Sequence, residues 1–141
     1  MLTKQEQTKR GKKYINIFRK EEARSYYIKK IDALISRRVR ERDNWTCIYC
    51  GKQEIGGMTN SHFWNRNKIS VRWDMDNCDT ACWACHKYRL EHAKQGWYRT
   101  FKLKQLGKDR YDYLEVKAHS PAGWNKNDLK ILLLSYERGM L

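Results

Sequence analysis

Between residues 21 and 43 apolar side chains recur at steps of three and four. Tyr27, Ile28, Ile31, Leu34, Ile35 and Val39 fall on one stripe of a helix. Its other faces carry Arg24, Lys29, Lys30, Arg37, Arg38, Arg40 and Arg42. Ahead of it, residues 1–20 have one apolar cluster, Tyr14, Ile15, Ile17 and Phe18, and read as a basic arm, extended or briefly helical. From 44 to 96 the helical period is lost. "MTNSHFW" and "ISVRW" read as short strands between glycine- and asparagine-bearing turns, and a new helix is expected near Cys82. The region 97–141 turns helical again. Trp97, Phe101 and Leu103 lead to Gly107, Tyr111, Leu114 and Val116 follow, and Ser120-Pro121 breaks the run. Asn125 and Asp128 read as an N-cap and its partner, opening a last helix with the stripe Leu129, Leu132, Leu133 and Tyr136. The pattern predicts an α+β chain: a small central domain flanked by a basic N-terminal helix and C-terminal helices.

Charge narrows the function. Thirty Lys and Arg against sixteen Asp and Glu give +14 over 141 residues, and the pI is near 9.7. A surplus of this size points to a polyanion, nucleic acid foremost. Up to Asp43 there are fourteen basic and six acidic residues, so the N-terminal helix is a candidate phosphate-contacting element through Arg37, Arg38 and Arg40. No stretch approaches the run of about 20 apolar residues that spans a membrane. The basic N-terminus lacks the apolar core of a signal peptide. An intracellular protein is expected, and there closely spaced cysteines speak for metal rather than disulfides.

Cys47 and Cys50 form one Cys-x-x-Cys pair, followed by Gly51, and Cys82 and Cys85 form another. Each pair fits one tight turn, and together they offer the four thiolates of a closed tetrahedral zinc shell. Cys78 stands outside this spacing. It could replace a ligand, but a small buried residue is the favoured reading.

The segment between the pairs carries His62 in "TNSHFWNR", and the second pair sits in "DNCDTACWACHK", with Asn77 before it and His86 directly after. This constellation resembles the HNH, or ββα-metal, nucleases that carry their motif on a treble-clef zinc finger. Over roughly residues 21–137 the chain looks most like the NinG/Rap recombination endonucleases of phages. The resemblance implies a metal-dependent DNA endonuclease acting on branched recombination intermediates, Holliday junctions or D-loops, in the cytoplasm of a bacterial host. It implies His62 as general base, Asn77 as the residue holding the histidine-bearing loop, and His86 as ligand to a catalytic Mg²⁺ or Mn²⁺. Arg66 or Arg72 would clamp a phosphate, and Asp74 and Asp76 are candidate second metal ligands.

One position departs from that pattern. Many HNH nucleases place an aspartate directly before the base, whereas this chain has Ser61, a poor ligand for a hard cation. Glu91 and His92 are alternative donors, neither well placed on the face of His86. A zinc-bearing junction or single-strand binding protein without catalysis is therefore the alternative, with RNA binding a distant third. A junction has two equivalent strands to cut, which favours a homodimer through the stripe of the first helix, although the stripe could equally pack on its own domain. Trp64, Trp73 and Trp97 could stack on unpaired bases. His119 is given no role.

Overall fold

The computed structural model of the chain describes residues 22–90 and 96–140; the basic arm 1–20 and the candidate donors Glu91 and His92 lie outside the described residues. The first helix, α1, runs Arg24–Arg42. Tyr27, Ile31, Ile35 and Val39 are its buried positions, a file at every fourth residue. Two consecutive left-handed residues, Asn44 and Trp45 (φ 49° and 53°), then reverse the chain. The Asp43 carboxylate ties this corner to the sheet by accepting from the Thr80 backbone N–H at 2.8 Å.

Residues 46–53 form the first cysteine turn, closed by an isolated bridge between Thr46 and Gln53. β1 (Met58–His62) then pairs antiparallel with β2 (Cys78–Cys82), in a register that sets Met58 against Cys82 and His62 against Cys78. β2 leads into α2 (Trp83–Cys85), which widens into a π-helical turn over His86–Leu90. Three further helices complete the described chain: α3 (Trp97–Leu106), α4 (Lys108–His119) and α5 (Lys126–Glu137). Gly107, at φ 77°, makes the corner between α3 and α4, where a residue with a side chain would be strained. Asn125 and Asp128 form the expected capping box of α5. Among the described residues no helix is long and apolar enough to cross a membrane. The result is an α+β chain.

Three apolar clusters hold these elements. One joins the cysteine turns to Met58, Phe63, Leu90, Tyr98 and Tyr111. A second joins α1 to Leu129 and Leu133 of α5, with Trp73 and Cys78 between them. The third sets Val71 against Leu114 and Ala118. The second cluster shows how the stripe of α1 packs within its own chain. The stripe of α1 is covered by the chain's own last helix, and helical spacing looks the same whether the partner is a second copy or a distant segment. "ISVRW" also differs from expectation. Residues 69–73 are turns, because Val71 and Trp73 go to different clusters rather than to one face of a strand. The true partner of β1 is Cys78–Cys82, all five residues buried.

Candidate active site and metal centre

The two cysteine turns meet. The sulfurs of Cys47, Cys50, Cys82 and Cys85 all lie within 4.8 Å of one another, and Cys50 and Cys82 are 3.8 Å apart. Burial opposes ionisation of Cys47, but backbone N–H groups of Cys50, Cys82 and Tyr49 outweigh it and bring the thiol down to about 7. Four converging sulfurs, one already inclined to the thiolate, are a donor set positioned to bind a metal ion, and soft tetrahedral thiolates suit zinc. Cys78 is not among them. It is fully buried beneath α1, and that burial pushes its thiol up to about 12.

Beside this centre, a cleft of about 400 Å³ opens between α1 and β1. Asp32, Ser36 and Arg40 of α1 form one wall, Thr59, Asn60 and His62 of β1 the other, and Arg66, Arg72 and Trp73 come from the loop between the strands. His62 is the last residue of β1, and its Nε2 lies 3.0 Å from the carbonyl oxygen of Arg72. A carbonyl can only accept, so Nε2 carries the ring proton and Nδ1 the lone pair. Burial holds the imidazole below its ordinary value of 6.5, so it is neutral at neutral pH.

Asn77 fastens the loop that supplies that carbonyl. Its Oδ1 accepts from the Trp64 backbone N–H at 2.7 Å, while Nδ2 donates to the carbonyls of Trp64 and Val71 at 2.9 and 3.1 Å. Both ends of 64–71 are thus held by one buried amide. His86, in the π-helical turn, does not itself line the cleft but is bonded to Thr59, which does. The Thr59 hydroxyl donates its single proton to the Ala81 carbonyl at 2.8 Å and lies 2.9 Å from His86 Nδ1. Nδ1 is therefore the donor, which puts the lone pair of His86 on Nε2.

The arginines divide. Arg66 lines the cleft with a largely exposed side chain, 3.7 Å from Asp32. Arg72, on the cleft wall, makes a bidentate pair with Asp32 at 3.0 and 2.6 Å and is half-buried. Arg40 lines the cleft, bonded to Ser36 Oγ at 2.7 Å and lying over the Trp45 ring. Arg37 pairs with Glu41 on the exposed side of α1, and Arg38 donates to the Tyr136 carbonyl of α5; neither lines the cleft.

Asp74 and Asp76 are also engaged elsewhere. Asp74 caps the 3₁₀ turn Met75–Asn77 and pairs with Lys117, and Asp76 pairs with Arg110, so both act as anchors for α4. Trp73 is buried, and Trp64 packs edge-on against His119; of the three tryptophans considered for stacking, Trp97 is the exposed one.

Two functional groups were invisible to pattern reading. Asp32 accepts from both Arg72 and the indole of Trp73 (2.8 Å), yet on the helix it is one polar residue among many. Asp79, buried in β2, accepts from Tyr98 (2.8 Å), Gln105 (2.9 Å) and Lys102 (2.6 Å). Lys102, set one turn after Tyr98 in an otherwise aromatic stripe, was the available signal.

A basic α+β protein, with four cysteines positioned to bind a metal ion and a histidine- and arginine-lined cleft, is the class that fold and site define. Within it, the chain belongs to the family of the bacteriophage lambda NinG protein, whose family model matches residues 2–140. No curated protein and no solved structure matches the chain.

Proposed function

We propose that this protein is a metal-dependent DNA endonuclease of the HNH type, built on a treble-clef zinc centre and acting on branched DNA during phage recombination. The observation that carries the reading is the His62 tautomer. A neutral imidazole whose Nε2–H is held by the Arg72 carbonyl keeps Nδ1 as its basic nitrogen, on a residue that lines a cleft together with arginines. In such a site Nδ1 takes the proton of the attacking water, Arg66 meets the phosphate, and Asn77 keeps the carbonyl-bearing loop in place. His86 Nε2 would hold Mg²⁺ or Mn²⁺, which when bound supplies charge for the leaving oxygen. Zinc in the cysteine cluster is structural in this reading, fixing β2 and α2 relative to the first cysteine turn. A branched substrate is in keeping with a recombination-associated phage family and with a site that, among the described residues, offers phosphate contacts and no base-reading helix.

Ser61 favours a second reading. It is buried, and the cleft's carboxylate, Asp32, is neutralised by Arg72. A site with few hard donors suits a binding protein that does not cut.

The test compares the parent with His62→Ala on a labelled four-way junction and a matched linear duplex, with Mg²⁺ or Mn²⁺ added. Junction nicks made by the parent alone are expected, with the variant losing at least a hundredfold in rate, the typical worth of a general base. Tight junction binding without cleavage by either protein, at normal zinc content, would establish the second reading instead.

A further inference from the structure

The turn that follows the second cysteine pair has two unlike sides. Cys85 and Leu90 face the core. Trp83 and Tyr88 do the opposite: they are 57 % and 62 % exposed and belong to none of the three apolar clusters. Their rings meet edge to face at 5.8 Å. The Lys87 ammonium lies 4.8 Å from the centre of the first ring and 5.3 Å from that of the second. Two large aromatic rings held in water beside a cation form an exposed surface that bulk solvation disfavours and ligand binding explains.

The position of this surface gives it meaning. Trp83, Lys87 and Tyr88 bracket His86, and His86 is bonded to Thr59 on the cleft wall. Both rings lie within three residues of His86 along the chain. The π-helical winding of His86–Leu90 carries the histidine, Lys87 and Tyr88, and Trp83 lies in the α-helical turn just before it. Beyond them, Arg89 covers the ring of Tyr49 at 5.1 Å, so the strip continues as alternating cations and aromatic faces.

We propose that Trp83, Lys87 and Tyr88 form a stacking platform for unpaired bases of a DNA strand leaving the cleft, with Lys87 meeting its phosphates. The identity of the polyanion rests on the function proposed above; the preference for unpaired bases rests on the rings. Bases inside a duplex already stack on one another, so the platform adds affinity only where the strand has opened. Every base has a π face, so no sequence preference is required. Selectivity for branched or opened DNA then arises beside the reacting phosphate, without a base-reading helix.

The test uses the full zinc-loaded chain with no added Mg²⁺ or Mn²⁺. Its probes are a labelled oligothymidine strand, an abasic strand of equal length, and a duplex. The abasic strand keeps the phosphates and removes the rings. The parent is expected to prefer oligothymidine to the abasic strand. Trp83→Ala should lose roughly tenfold in affinity for oligothymidine, Tyr88→Ala should lose affinity in the same direction, and Trp83→Phe should retain most of the preference. Binding of the abasic strand should change little, and zinc content with circular dichroism verifies that each variant is folded. Equal binding of both strands by the parent, or an undiminished preference in folded Trp83→Ala, overturns the platform. His62-dependent cleavage without base preference would leave the nuclease and remove the platform; base preference without cleavage would do the reverse.

Discussion

His62 depends on two residues that no substrate needs to touch. The Arg72 carbonyl fixes its tautomer, and Asp32 fixes Arg72 through a bidentate pair. Burial holds the imidazole below 6.5, and only the neutral ring can accept a proton. The rate should therefore rise with pH along an acid limb whose midpoint lies below 6.5, then stay level as His62 remains neutral. Asp32→Asn should move that limb further toward acid, because the lost negative charge had favoured the imidazolium. The maximal rate should fall as well, since Arg72 loses its anchor. A rate–pH profile of parent and variant on the junction measures both. His62, Asn77 and His86 could be picked out as candidates because they stand around the cysteine pairs in the order of the HNH motif that the sequence resembles. Asp32 could not, because it acts across the fold from a helix whose period describes only its apolar stripe.

At the scale of elements, α3 is pinned to the sheet by charge. Lys102 and Asp79 are both fully buried, and Lys102 also donates to the Asp76 carbonyl at 2.6 Å and to Gln105 at 2.9 Å. Burial presses the Lys102 ammonium toward neutrality while Asp79 opposes it. Such a pair is poor evidence of net stability, yet breaking it leaves the buried Asp79 with only the more distant Arg42, at 3.5 Å, to balance its charge. Lys102→Ala should cost about 3–5 kcal/mol, read by urea denaturation, and adding Asp79→Asn should recover part of the loss. The helices α1, α3, α4 and α5 could be read from the chain because each is amphipathic and ended by turn or cap residues. β2 could not. All five of its residues are buried, so there is no alternation to see, and its polar members are hidden by partners: the Thr80 hydroxyl bonds to the Val39 carbonyl at 3.3 Å and Asp79 to α3.

For the whole molecule, the cysteine cluster joins the turn after α1 to the junction of β2 and α2. Three of its four cysteines also belong to the largest apolar cluster. Removing the metal should thus loosen packing well beyond the thiolates. Chelation is expected to diminish the near-ultraviolet signal of the core aromatic residues and restore it on adding Zn²⁺; an unchanged spectrum would assign the cluster no structural weight.

The contact between α1 and α5 carries a consequence for how the protein is made. Arg24 bonds to the Trp124 carbonyl, and Arg38 to that of Tyr136, so the earliest described helix is covered by the latest. At roughly 5–20 residues per second, a ribosome needs on the order of 5–20 s to travel that distance. Throughout that interval the stripe of α1 has no cover, and the wall that Asp32, Ser36 and Arg40 give the cleft has no fixed seat. A nascent chain accordingly carries the cysteines, His62 and His86 before the cleft wall is seated, and the finished cleft forms only once α5 has been made.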